Sequence, residues 1–214
     1  MTAASTIPAA ERRMPMTYEA WLAWAPECRR TEWVDGEAIE FVPPTIRHQD
    51  VVFFLATLLR LYVRLRGLGK VLGSPLEVRL SPRSSREPDV VFVATGRLDR
   101  IARLRIEGGP DLVVEVVSED SVRRDRVAKR DEYARAGVRE YWIVDCRPGK
   151  EREEFLLLDA AGRYAEAPRD NEGRFHSLAV PGFWLDPAWL RADPLPLETD
   201  CLHAIDPTLL GGRA

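Results

Sequence analysis

Three scarcities frame this chain. Cysteine occurs three times in 214 residues, as Cys28, Cys146 and Cys201. An odd number of widely spaced thiols excludes a disulfide framework and a cysteine-based zinc cluster, and makes a reducing cytoplasm the expected setting. Lysine is equally rare: Lys70, Lys129 and Lys150 stand in an otherwise arginine-built basic complement. Charge excess is missing too. The 31 basic and 34 acidic side chains leave a net charge of −3, which excludes coating of nucleic acid by bulk charge but permits a local basic groove.

Long apolar runs are absent. The longest, 51–59, is broken by Thr57 and is about half of the ~20 residues a membrane span needs. No repeat or low-complexity block divides the chain. The opening MTAASTIPAAERRMP has no continuous apolar stretch and reads as a flexible lead-in over 1–15. What remains is 45 % apolar and 30 % charged, the composition of one globular domain with a real core.

The pattern along the chain predicts α/β architecture with a mixed sheet. Thr17 is placed to cap a short helix over 18–24. Asp35-Gly36 sits between two short strand-like runs, a strong hairpin signal. Residues 48–66 repeat Val51, Val52, Leu55, Leu58, Leu59 and Tyr62 at helical spacing. Phe53, Phe54 and Leu61 widen that stripe until the helix looks apolar nearly all round, hence central, with Gly67 and Gly69 to stop it. Strands are expected over 70–80, 88–93, 111–117 and 140–145, a connecting helix over 97–107, and an amphipathic helix over 122–136. Segments 155–158 and 163–167 should pair as a peripheral hairpin. The proline-rich tail from Pro181 predicts little regular structure beyond a turn around Trp189 and a short final segment. One domain over 16–190 with a C-terminal extension over 191–214 follows.

The chemistry shows as charge in the wrong place. Glu115 stands mid-strand in Leu-Val-Val-Glu-Val-Val. An unpaired buried carboxylate costs several kcal/mol, so a cation, a metal ion or a raised pKa must compensate. Asp89 follows Pro88 at the mouth of another strand. Were the two strands neighbours, the carboxylates would lie about one strand spacing apart, ~5 Å, and would repel unless a hard dication such as Mg²⁺ or Mn²⁺ joined them. Lys129 lies on the helix after the Glu115 strand, with Tyr133 four residues on, on the same helix face. An amine, unlike a guanidinium, can lose its proton near neutral pH when desolvated.

Three runs in order, Glu-Pro-Asp-Val-Val-Phe-Val, Pro-Asp-Leu-Val-Val-Glu-Val-Val-Ser and Lys-Arg-Asp-Glu-Tyr-Ala-Arg-Ala-Gly-Val-Arg-Glu-Tyr-Trp-Ile-Val-Asp, resemble the Uma-two type of restriction endonuclease, within the PD-(D/E)XK nuclease-like superfamily. Thr-Glu-Trp-Val-Asp-Gly-Glu and Arg-His-Gln upstream fit the same pattern, and the resemblance spans about 16–190. It implies a restriction-endonuclease-like mixed sheet with a long core helix, a second helix after the central strand and an N-terminal hairpin. It implies Asp89 and Glu115 as catalytic acids and metal ligands, and the backbone carbonyl of Val116 as a further ligand of Mg²⁺, with Mn²⁺ as substitute. The superfamily's lysine belongs two residues after the second acid, where this chain has Val117; the resemblance assigns that amine to Lys129. His48 and Glu32 match further recurrent positions. Magnesium-assisted hydrolysis of DNA phosphodiesters follows as the expected activity, and a homodimer by analogy with nucleases that cut both strands.

Each residue also has a plainer reading. Glu115 with Lys129 is equally a structural ion pair, Asp89 a turn residue after proline, His48 a helix-start packing residue, Glu32 an exposed or cross-strand-paired acid, and Tyr133 a core residue. The arginine-rich runs 97–105 and 123–126 are either solvated faces or phosphate contacts. The rival function is a catalytically inactive nuclease-fold module that binds nucleic acid or protein.

Overall fold

The structure is a computed structural model that describes residues 12–25, 31–40, 44–118, 121 and 124–210; Cys28 and the 1–11 part of the lead-in lie outside them. β1 (Arg12–Pro15) already departs from expectation. It pairs antiparallel along β3 (Glu37–Glu40), so the end of the presumed lead-in is an edge strand that covers backbone groups β3 would otherwise expose. Thr17 caps α1 (Tyr18–Trp24) by accepting from the Ala20 N–H. β2 (Thr31–Val34) and β3 form the expected hairpin, with Asp35 and Gly36 both at positive φ.

α2 (Ile46–Arg66) is the long core helix. Thr45 caps it and Gly67, in the left-handed conformation, ends it. Gly69 does a different job from the one expected: it opens β4 (Gly69–Gly73), where a Cβ would sit 2.1 Å from the Val93 carbonyl oxygen. The buried face of α2 includes His48, Val51, Phe54, Leu55, Leu58, Leu59, Tyr62 and Val63. Its stripe does not close all round, because Phe53 is 65 % exposed.

The single strand expected over 70–80 is two. Gly73-Ser74-Pro75 separates β4 from β5 (Glu77–Ser81), and the two join different sheets. Proline has no N–H to give a ladder, which makes the break. β6 (Ser84–Arg86) and β7 (Val90–Ala94) follow. The helix expected over 97–107 is instead a short 3-10 turn, Thr95–Arg100, followed by β8 (Arg105–Glu107), parallel to β5. Arg97 binds Asp111 at 2.6 Å and the Gly109 carbonyl, and Arg100 binds that carbonyl as well. Those anchors pin the segment to the sheet and prevent a free helix.

β9 (Leu112–Val116) leads into a π-helical turn, Arg124–Ala128, and α3 (Lys129–Arg135). β10 (Glu140–Asp145), β11 (Arg152–Leu158) and β12 (Tyr164–Glu166) complete the main sheet, with β11 and β12 paired as the expected hairpin. That sheet runs β12-β11-β10-β9-β7-β4, with β9 parallel to β10 and antiparallel to β7. The smaller sheet runs β1-β3-β2-β6-β5-β8. One face of the main sheet, with Phe92, Val114, Val116 and Trp142, packs on α2; the other, with Val91, Val113, Val117, Tyr141 and Ile143, packs with Tyr133 of α3.

The tail is more ordered than its prolines suggest. β13 (Phe175–His176) pairs with β14 (Trp184–Leu185), and α4 (Pro187–Arg191) and α5 (Glu198–Ile205) follow. Leu190, Cys201 and Leu202 are buried in the core shared with α2. A buried acid fastens the approach. Glu140 accepts from the Trp142 indole, the Ser177 hydroxyl and the Leu178 and Ala179 N–H groups. Burial raises its carboxyl above the usual range, against the pull of those four donors.

No helix among the described residues is long and apolar enough to cross a membrane.

Candidate active site

Strand register sets the centre of the site. The β7–β9 ladder ends with Val90 opposite Val114, and the next position on each side is Asp89 and Glu115. The two acids therefore flank one corner of the main sheet, as neighbouring strands require. Asp89 Oδ2 accepts from the Val116 N–H at 2.7 Å. His48, in the first turn of α2, places Nε2 2.9 Å from the Val116 carbonyl oxygen and 3.6 Å from Asp89 Oδ2. The histidine thus donates to the carbonyl that the resemblance nominates as a metal ligand, and stands beside the first acid. It is more than helix-start packing.

Glu115 points to the α3 face, like Val113 and Val117. Lys129 Nζ lies 2.8 Å from Glu115 Oε1, 3.2 Å from Asp125 Oδ1 and 3.4 Å from Glu32 Oε1. The Tyr133 hydroxyl donates to the same Glu115 oxygen at 2.6 Å. The π-helical turn brings Asp125 to the amine. Val117, in the slot where the resemblance expects a lysine, is buried hydrocarbon, and the amine beside Glu115 is that of Lys129 on α3. Glu32 is neither exposed nor paired across its hairpin: it is fully buried, and Arg86 Nη1 donates to its Oε2 at 2.7 Å.

Burial alone would depress the Lys129 pKa, but the carboxylates of Glu115, Glu32 and Asp125 outweigh it and hold the amine protonated, well above its ordinary value. This corrects the expectation of an amine poised to lose its proton. Lys129 is a fixed cation. Tyr133 is likewise kept protonated, by burial first and then by Glu115, and so remains a hydrogen-bond donor.

These groups line a small cleft of about 30 Å³, together with Pro44, Ser118, Ser121 and Arg124. Four carboxylates here are almost wholly buried, Glu32, Asp89, Glu115 and Asp125, against two buried cations, Arg86 and Lys129. Carboxylates clustered under such burial are costly, and a dication is chemically suited to them. Asp89, Glu115 and the Val116 carbonyl offer oxygen donors only, the chemistry hard ions such as Mg²⁺ take. Among the described residues no three His, Cys, Asp or Glu side chains form a ready-made cage.

Sequence reasoning passed over Asp125 and Arg86. The first lies in Arg-Arg-Asp-Arg-Val-Ala-Lys, where any acid looks solvated; its spacing of four from Lys129 is the one available signal. Arg86 lies three residues before Asp89, and nothing local marks it as buried. Of the arginine-rich runs, Arg97, Arg100 and Arg105 are tied to protein groups, and Arg126 pairs with Asp145 and Glu154. Arg124 alone of these lines the cleft.

The architecture has a solved counterpart. The crystal structure of "a putative nuclease belonging to DUF820 from Anabaena variabilis ATCC 29413" superposes with a TM-score of 0.60 at 14 % identity, over 83 % of this chain and 93 % of that one. The fold is therefore one a nuclease-like protein adopts. The Uma2 family, described as "Putative restriction endonuclease", matches residues 16–188, and the chain belongs to that family. No curated protein sequence matches it.

Proposed function

We propose that this protein is a magnesium-dependent endodeoxyribonuclease, hydrolysing phosphodiester bonds in DNA as a homodimer in the cytoplasm. The observation that carries the reading is the convergence of Asp89, Glu115 and Lys129, from three separate segments, on one cleft lined by buried carboxylates. Asp89, Glu115 and the Val116 carbonyl would hold the ion. Mg²⁺, or Mn²⁺ in its place, would supply Lewis-acid polarisation of a phosphoryl oxygen and a more acidic bound water. Glu115 orients the shared oxygen set while Tyr133 and Lys129 fix its Oε1. The Lys129 ammonium would orient the attacking water and stabilise charge developing on the phosphoryl group. His48 steadies the Val116 carbonyl. Arg124, on the rim, is placed to grip a neighbouring phosphate.

Calorimetric titration with Mn²⁺ and cleavage of supercoiled plasmid DNA test this together. Wild type should bind Mn²⁺ and nick DNA, and Asp89→Ala and Glu115→Ala should lose both. Cleavage by either variant overturns the assignment. A wild type that binds no Mn²⁺ and leaves the plasmid uncut is the inactive nucleic-acid- or protein-binding module instead. Sedimentation velocity should show a dimer; a monomer at cleaving concentrations removes the paired-site part of the reading.

A further inference from the structure

Arg86 binds none of the proposed metal ligands, yet it ties together two of the segments that build the site, β2 and α3. It ends β6, three residues before Asp89. Its side chain is 3 % exposed. Nη1 donates to Glu32 Oε2 on β2, while Nε and Nη2 form a fork on Glu132 of α3, at 2.9 and 2.5 Å. Glu132 stands one helical turn after Lys129. Glu32 is split between two cations: Oε2 faces Arg86, and Oε1 faces Lys129 and accepts from the Glu87 N–H.

We infer that Arg86 is a positioning residue, which holds Glu32 and α3 so that the Lys129 ammonium is aimed at Glu115. The inference rests on Lys129 being the working amine proposed above. A planar fork with five donors can span two carboxylates at fixed angles, which a lysine cannot. With Arg86 removed, Glu32 loses the guanidinium on its Oε2, and the Lys129 amine on its Oε1 is drawn from Glu115 toward Glu32. A purely structural role for Arg86 would lower stability and leave the ammonium environment unchanged in the folded protein.

The lysine scarcity provides a readout that needs no activity. Selective ¹⁵N labelling of lysine side chains gives signals from Lys70, Lys129 and Lys150, of which Lys129 alone is buried. In Arg86→Met, the slowly exchanging Lys129 ammonium signal should shift or broaden while the other two stay. DNA cleavage should fall ~10-fold or more in kcat, the scale typical of lost supporting contacts, with Mn²⁺ still bound and KM within about twofold. Arg86→Lys should recover part of the rate. Should Arg86→Met not fold, Glu132→Gln tests the same link, since it frees the guanidinium from α3 but leaves it on Glu32. An unperturbed Lys129 signal in a folded variant overturns the inference. If wild type cuts no DNA, the Lys129 signal still reports on positioning, so failure of the nuclease assignment and failure of the Arg86 assignment are told apart.

Discussion

One oxygen atom, Glu115 Oε1, receives both an ammonium and a phenol within 2.8 Å. The pairing lets a carboxylate survive between Val114 and Val116, and makes Tyr133 more than packing. Tyr133→Phe should keep the ring contact with Tyr141 and delete one buried donor. The expected cost is about 2 kcal/mol, the range for hydrogen bonds to charged groups, measured by urea denaturation. Residues of this kind divide by how visible they are in sequence. Glu115 stands out because its neighbours are hydrocarbon, and Asp89 and Lys129 follow from motif and rarity. Arg86, Asp125 and Glu140 lie in charged or mixed stretches, where burial is decided by partners distant in the chain. Glu140→Ala would leave four donors without their acceptor and should destabilise by about 3 kcal/mol or more, again by denaturation, with no effect on Mn²⁺ binding.

Elements with strong local signals came out as their sequences imply: the capped α1, the Asp-Gly hairpin, α2 with its left-handed Gly67, and the apolar β9 and β10. The departures share a cause. The 70–80 and 97–107 segments carry pattern but no closure, and tertiary partners settled them: a second sheet took up β5, and Asp111 with the Gly109 carbonyl captured the arginines of the 3-10 turn. The loop before β13 offers a pH test at this scale. Asp170 accepts from His176 at 2.7 Å, and that contact, outweighing burial and helped by Arg174, lowers its carboxyl to about 2. A depressed carboxylate stabilises the fold fully above its ordinary value and loses that contribution as pH falls through its folded value. Thermal melts of wild type and Asp170→Asn should therefore differ most above about pH 4 and converge toward pH 2. A constant gap across that range contradicts the assignment.

The molecule as a whole is a main sheet with a helix on each face and a second, smaller sheet, closed by its own C-terminal segment. Sequence placed the first two layers, since their periodicities are strong. It missed the closure because Cys201 and Leu202 sit among prolines and acids and gain meaning only against α2. Truncation after residue 197 would remove those two side chains and uncover the α2 surface beneath them. At ~1.5–3 kcal/mol for each side chain, the loss should be about 4 kcal/mol, read as a lower urea midpoint.

β9 is hydrocarbon on both sides apart from Glu115, so apolar alternation cannot tell one alignment of that strand from the next. A slip by a single residue would leave its valines nearly as content as before, but would turn the carboxylate away from Lys129 and Tyr133 into the hydrocarbon layer beneath α2. The acid placed for chemistry thereby acts as a proofreader of assembly. Exchanging Glu115 for leucine would silence the proofreader, and misaligned chains would then pass unpunished.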